Sequence, residues 1–120
     1  MKTVTEIAGR LPIRKDNLDI LQQGLLGVVA DEHGTAHWIE MPEVPIAGKT
    51  GTAQNPHGDD HSWFVCYAPA ENPELAVAVI VENAGHGSSV AAPLARKILE
   101  KYFEDMPVVA DSSDTTFAGP

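Results

Sequence analysis

The 120-residue chain is short of positive charge. It carries 8 lysines and arginines against 17 aspartates and glutamates, for a formal net charge of −9. That balance argues against a nucleic-acid partner, which requires basic patches. No polybasic run offers itself to an anionic membrane surface. Cysteine is nearly absent. Cys66 alone permits no internal disulfide, and it leaves the redox compartment open. There is no run of about 20 apolar residues to cross a bilayer. The opening Met1-Lys2-Thr3-Val4-Thr5-Glu6 does not read as an export leader. Taken literally, these absences describe a soluble, non-exported chain with no membrane contact of its own. In a piece of a longer protein they would say nothing about targeting. The apolar fraction, 43%, is ordinary for a globular chain, and the length allows one domain or part of one.

What is present is one isolated cation. Lys49 is the only lysine or arginine between Lys15 and Arg96. It sits in Ile46-Ala47-Gly48-Lys49-Thr50-Gly51-Thr52-Ala53-Gln54. A cation, two hydroxyls and a bare glycine backbone are what a site needs to hold a carboxylate against an extended chain. The plain alternative is an exposed edge strand with a solubilising lysine.

Elements on either side follow from residue periodicity. Met1 to Lys15, broken by Gly9 and Pro12, reads as an incoming connection or a short strand. Asp16 to His33 reads as a helix capped by Asp16 or Asn17, with Asp19 in its first turn. Leu18, Leu21, Leu25, Val28 and Val29 form its apolar face, and Gly34 is placed to stop it. Gly24 and Gly27 inside it suggest close packing against a neighbour, since each costs up to roughly 1 kcal/mol relative to alanine. Thr35 to Pro45 is a connection, and Val44 to Gln54 a short strand. Asn55-Pro56-His57-Gly58-Asp59-Asp60 is a polar loop. Ser62 to Ala68 is a strand, Pro69 to Pro73 a turn, and Leu75 to Val81 a nearly continuous apolar strand expected at a buried central position. The last two should pair as an antiparallel hairpin, with the Val44–Gln54 strand added on one side. Ser88 or Ser89 caps a second helix reaching about Phe103. Its apolar face is read as Val90 or Ala91, Leu94, Ile98 and Tyr102. Pro93 is tolerated in its first turn, and Arg96, Lys97 and Lys101 complement its dipole. Met106 to Pro120 reads as a disordered acidic tail. The class is α+β, an antiparallel sheet flanked by helices. Two helices leave such a sheet thinly covered, which suggests one end of a larger domain.

Other motifs do not hold. Gly48-Lys49-Thr50 would need a glycine where Glu43 stands to be a phosphate-binding loop, and Gly51, Asn55 and Pro56 discourage the helix that must follow. Gly85-His86-Gly87-Ser88-Ser89-Val90 lacks the third glycine of a dinucleotide fingerprint and reads as a tight strand-to-helix turn. His57, Asp59, Asp60 and His61 share one polar loop without the spaced pairs of a metal site, and His33 and His37 flank Gly34 in another; both groups read as solvated loops. Cys66 lies mid-strand, where a buried inert thiol is expected. None of Ser62, Ser88, Ser89, Ser112 or Ser113 is followed by lysine three residues on.

Lys49-Thr50-Gly51-Thr52-Ala53-Gln54 resembles the third active-site motif of penicillin-binding protein transpeptidase domains, a Lys-Thr-Gly strand. The surroundings agree. His61-Ser62-Trp63-Phe64-Val65 and Phe64 to Pro69 resemble the strand that follows. Ala76 to Val81, Gly85-His86-Gly87 and Ser89-Val90-Ala91-Ala92-Pro93 resemble the last strand and final helix. Gln22-Gln23-Gly24-Leu25 and Gly34-Thr35-Ala36 resemble the helix before the motif. The likeness runs from about Leu11 to Phe103. It is nearest to the class B, elongation-type branch, penicillin-binding protein 2.

The resemblance implies a partial transpeptidase (β-lactamase-like) fold over residues 1–104, followed by the tail at 105–120. It implies a serine acyl-transfer enzyme of peptidoglycan synthesis, with no metal and no cofactor. Its partners would be D-Ala-D-Ala stem peptides, β-lactams and the rest of the transpeptidase domain. Its location would be the periplasmic face of a bacterial inner membrane. On this pattern Lys49 and Thr52 are catalytic, and Lys49, Thr50, Gly51 and Thr52 bind substrate. Lys49 supplies positive potential, and the two hydroxyls receive the donor carboxylate through charge-assisted bonds. Gly51 lets the substrate backbone approach, and the Thr52 N–H is one oxyanion donor, a role worth about 10²–10³ in rate. The family's Ser-x-x-Lys and Ser-x-Asn motifs do not occur in the sequence. The chain alone is therefore expected to be inactive. The alternative is a non-catalytic remnant or binding module that keeps the recognition strand.

Overall fold

The computed structural model describes residues 4–104. Helix α1 (Lys15–Ala30) leads through a 3-10 turn (His37–Ile39) to strands β1 (Ala47–Ala53), β2 (His61–Ala68) and β3 (Leu75–Val81), and helix α2 (Ala91–Glu104) closes the order. The strands form one sheet in the order β1-β2-β3, antiparallel throughout. This is the expected α+β arrangement. The acidic tail expected at 105–120 lies outside the described residues.

β2 shows the alternation that a sheet with one buried face imposes. Ser62, Phe64, Cys66 and Ala68 are buried, while Trp63 and Val65 between them are exposed. α2 packs on β2 and β3, and α1 lies against β1. One core joins them: Val29 from α1, Ile39 and Ile46 from the connection, Phe64 from β2, and Ala91, Ala92, Ala95 and Leu99 from α2.

Four expectations change. First, α1 is not capped by Asp16 or Asn17. Its N-cap is Arg14, which makes no side-chain capping bond. Asp16 lies in the first turn, where the helix dipole favours an anion. There it pairs with Arg14, and the guanidinium holds its carboxyl below the usual range.

Second, α1 ends at Ala30, three residues short of His33, and Gly34 does not terminate it directly. The Asp31 N–H still bonds the Gly27 carbonyl, but Asp31 is extended. Gly34 then turns the chain back, so that the Ala36 N–H reaches the Val28 carbonyl at 3.0 Å. A Cβ on Gly34 would collide with the carbonyl oxygens of Gly27 and Val28. Gly24 and Gly27 show the reverse. A Cβ at either would meet nothing within 4 Å, so neither is explained by close packing among the described residues.

Third, β3 is an edge strand, not the central one. Its residues alternate between half-buried and exposed, and none is fully buried. Its apolar run resembles a strand covered on both faces, but here only the α2 face is covered.

Fourth, α2 turns a different side to the sheet. Leu94, Ile98 and Tyr102 are exposed at 41%, 47% and 37%, and the buried residues are Ala91, Ala92, Ala95 and Leu99. Small alanines let the helix approach the sheet closely, which a Leu/Ile/Tyr stripe would prevent. The helix is not capped by Ser88 or Ser89 either. The first N–H, of Ala91, donates to Ser62 Oγ on β2 at 3.0 Å.

Candidate functional site

β1 is the free edge of the sheet on the side of α1. Its register on β2 places Lys49 opposite Val65, Gly51 opposite Trp63 and Thr52 opposite Ser62. Lys49 and Thr52 are exposed, and Thr50 and Gly51 are half-buried. The four predicted site residues therefore lie consecutively on one outer strand, with their side chains directed alternately to its two faces.

Lys49 borders a cleft of about 380 Å³ formed with the end of α1 and the following turn: Gly27, Val28, Asp31, His33, Gly34 and Thr35. Its ammonium donates to the Thr50 carbonyl at 2.7 Å. It makes no ion pair among the described residues, so its charge is not neutralised there. Gly34 matters here for its lack of a side chain. The tight return of the chain at Gly34 brings Thr35 beside β1, and the Thr35 and Thr50 hydroxyls meet at 3.1 Å.

The other end of the strand is bounded by the loop between β3 and α2. Thr52 Oγ1 lies 3.5 Å from His86 Nδ1. Gly87 fits directly against β1. A Cβ there would fall 2.5 Å from the Gly51 oxygen and 2.9 Å from its nitrogen, and would collide with the Trp63 carbonyl. The glycine-rich turn, read from sequence only as a connection, is thus a wall beside Gly51 and Thr52.

Thr35 and His86 are the residues that sequence reasoning did not assign a role. Their signals were present, in Gly34-Thr35-Ala36 and in Gly85-His86-Gly87. What was missing was the folding that brings both to the same strand from separations of 15 and 34 residues.

Of the other polar candidates, Asp60, His61 and His37 serve the fold. Asp60 Oδ1 accepts the Asn55 N–H at 3.2 Å, its carbonyl accepts the N–H groups of Ala84 and Gly85, and His61 Nδ1 accepts the Asn83 N–H at 3.0 Å. This network ties the β1–β2 loop to the end of β3. His37 is not a solvated loop residue as expected. It is half-buried, with Nδ1 2.9 Å from the Val29 carbonyl. Cys66 is buried, and burial pushes its thiol up to about 11, as befits an unreactive core thiol. Among the described residues no group of three or more His, Cys, Asp or Glu could hold a metal ion. No helix among them is long and apolar enough to cross a membrane.

An edge strand reading Lys-Thr-Gly-Thr, followed by a hairpin and a helix packed on that sheet, defines a class. The family model for the penicillin binding protein transpeptidase domain matches residues 2–100, and the chain belongs to that family. Its relatives within that family include penicillin-binding protein 2 (MrdA) proteins, as well as PbpA proteins and a penicillin-binding protein 3. The chain is 49% identical over 74 residues to peptidoglycan D,D-transpeptidase MrdA of Haemophilus influenzae, covering 62% of this chain and 11% of that protein. The crystal structure of Pseudomonas aeruginosa PBP2 in complex with WCK 5153 superposes with a TM-score of 0.70 at 39% identity, over 79% of this chain and 22% of that one. The imipenem acyl-enzyme complex of penicillin-binding protein A from M. tuberculosis gives a TM-score of 0.69 at 31% identity, over 85% and 22%. The chain thus spans about a tenth to a fifth of the length of these relatives.

Proposed function

We propose that this chain supplies the carboxylate-recognising strand of a peptidoglycan D,D-transpeptidase, the enzyme class that cross-links D-Ala-D-Ala stem peptides and that β-lactams acylate. One observation carries the reading. Lys49, Thr50, Gly51 and Thr52 lie in order along an open sheet edge, with the one un-neutralised cation of that strand at a cleft mouth. An extended peptide can add to such an edge by main-chain bonds, while its terminal carboxylate meets the ammonium and hydroxyls.

In the proposed reaction, a serine supplied outside this sequence attacks the D-Ala-D-Ala carbonyl. D-alanine leaves, and an amine from a neighbouring stem peptide resolves the acyl-enzyme. Lys49 provides positive potential and assists proton movement at the serine. Thr50 and Thr52 hold the carboxylate. Gly51 leaves room for the substrate backbone. The Thr52 N–H faces the developing oxyanion, where a preorganised donor acts on the transition state more than on the ground state. Residues 1–104 form the contribution to that domain, and the assembled protein works at the periplasmic face of the inner membrane.

The absence of Ser-x-x-Lys and Ser-x-Asn from the sequence supports a second statement. Alone, the chain binds without reacting. A site stripped of its nucleophile retains only residual catalysis. Incubation of the purified chain with a fluorescent penicillin is expected to leave no covalent label after denaturing electrophoresis. A labelled band would overturn the statement that the nucleophile lies elsewhere.

A further inference from the structure

We propose that His86 is a positioning residue for the Thr52 hydroxyl, donating from Nδ1–H so that the single hydroxyl proton of Thr52 is directed at the ligand carboxylate. The proposal rests on the carboxylate-strand reading and extends it to a residue in a different loop.

The loop backbone is fixed independently of the ring. The His86 carbonyl accepts Ser62 Oγ–H at 2.9 Å, the Ser89 N–H at 3.0 Å and the Val90 N–H at 3.3 Å. Ser62 in turn accepts the first N–H of α2. Gly87 is seated against the backbone of Gly51 and Trp63. Gly85, at φ +87°, takes the left-handed conformation that starts the turn. The ring itself is exposed, so it fills no core and the fold does not need its bulk. What it has is a place, with Nδ1 3.5 Å from Thr52 Oγ1.

The direction of the bond follows from hydrogen inventory. A threonine hydroxyl has one proton and two lone pairs. If His86 Nδ1 accepted that proton, Thr52 would face an anion with lone pairs only. If Nδ1 carries the proton, it donates to Thr52 Oγ1, and the hydroxyl proton is left for the carboxylate. A bound carboxylate therefore selects the Nδ1–H form and shortens the contact. The relay runs from imidazole through hydroxyl to carboxylate, and it strengthens as each bond polarises the next.

The test uses the full chain, ¹⁵N-labelled, titrated with N-acetyl-D-alanyl-D-alanine. On binding, the His86 Nδ1 signal should move to the shift of a protonated ring nitrogen. His86→Phe keeps the ring and removes the nitrogen; it should weaken the peptide roughly tenfold, the effect of impairing one charge-assisted bond. His86→Asn sets an amide nitrogen near the Nδ1 position, and should stay within about twofold of the unmodified chain. Retained affinity in His86→Phe, or loss in His86→Asn with retention in His86→Phe, would overturn the proposal. So would a His86 Nδ1 that stays unprotonated in the complex. Lys49→Ala separates the two readings. If it abolishes binding while His86→Phe does not, the strand reading stands and the role of His86 fails. If the unmodified chain does not bind the peptide at all, both fail.

Discussion

Three residues carry the account most directly. Lys49 is an exposed cation on an edge strand, held at 2.7 Å to the Thr50 carbonyl rather than to an acid. Lys49→Ala should weaken the acetylated D-Ala-D-Ala peptide at least about tenfold, since a charge-assisted contact is lost. It should leave thermal stability within about 0.5 kcal/mol, as surface changes do. Calorimetric melting and peptide titration of the same sample separate the two effects. Ser62 is fully buried and joins β2 to the loop and to α2 through two bonds. Ser62→Ala leaves the Ala91 N–H and one lone pair of the His86 carbonyl without that partner, and should cost about 1–3 kcal/mol in urea denaturation. Cys66 has its thiol raised to about 11 by burial. The folded state then holds the proton more tightly than the unfolded one. Its stabilising effect is complete below the unfolded thiol value, and is lost as pH rises through about 11. A denaturation series should show this alkaline loss reduced in Cys66→Ala relative to the parent's own slope.

At the scale of elements, Gly24 offers the sharpest test. A Cβ there meets open space, so Gly24→Ala should stabilise the isolated chain by about 0.5–1 kcal/mol through helix propensity. A destabilised variant would show that α1 packs more closely than described. Gly87→Ala should do the opposite, because the added carbon meets the Gly51 and Trp63 backbone. Overpacking against atoms that cannot rotate away costs about 1–3 kcal/mol. The contrast explains what was legible in the sequence. All three strands and both helices could be read, because period 2 and period 3.6 are local properties. β3 matched its expected limits, Leu75–Val81. The candidate strand was legible because its charge is unique in the mid-chain. Long-range partners were not legible. Ser62 caps a helix 29 residues away, and no local pattern announces that. The buried side of α2 was misread for a related reason. Leu94, Ile98 and Tyr102 carry more apolar area, but alanine spacing determines how near a helix can approach a sheet. The glycines of α1 were misread because a glycine in a helix signals either close contact or nothing, and only coordinates separate these.

For the molecule as a whole, the two sheet edges differ. β1 bears Lys49, a charge of the kind that discourages edge-to-edge pairing at an open sheet edge. β3 runs Leu-Ala-Val-Ala-Val-Ile-Val with no charge and no proline, and its Ile80 is 46% exposed. Such an edge invites further pairing. Concentration-dependent association of the chain should therefore be visible by light scattering, and Ile80→Lys should suppress it. A chain that stays monomeric at every concentration would contradict that view of β3. The family membership is consistent with an edge made for more sheet than these residues provide, since the chain spans 22% of the Pseudomonas aeruginosa structure it resembles. On the proposed reading, recognition and reaction are separable: the Lys-Thr-Gly-Thr strand is present, and the Ser-x-x-Lys motif is not in the sequence. The most direct measurement compares amide shifts of the labelled chain on adding N-acetyl-D-alanyl-D-alanine with those on adding the same peptide ended by a carboxamide. The carboxylate peptide should shift Lys49, Thr50, Gly51 and Thr52 saturably, and the carboxamide should not. Equal responses to the two peptides, or a response centred away from β1, would contradict carboxylate recognition by this strand.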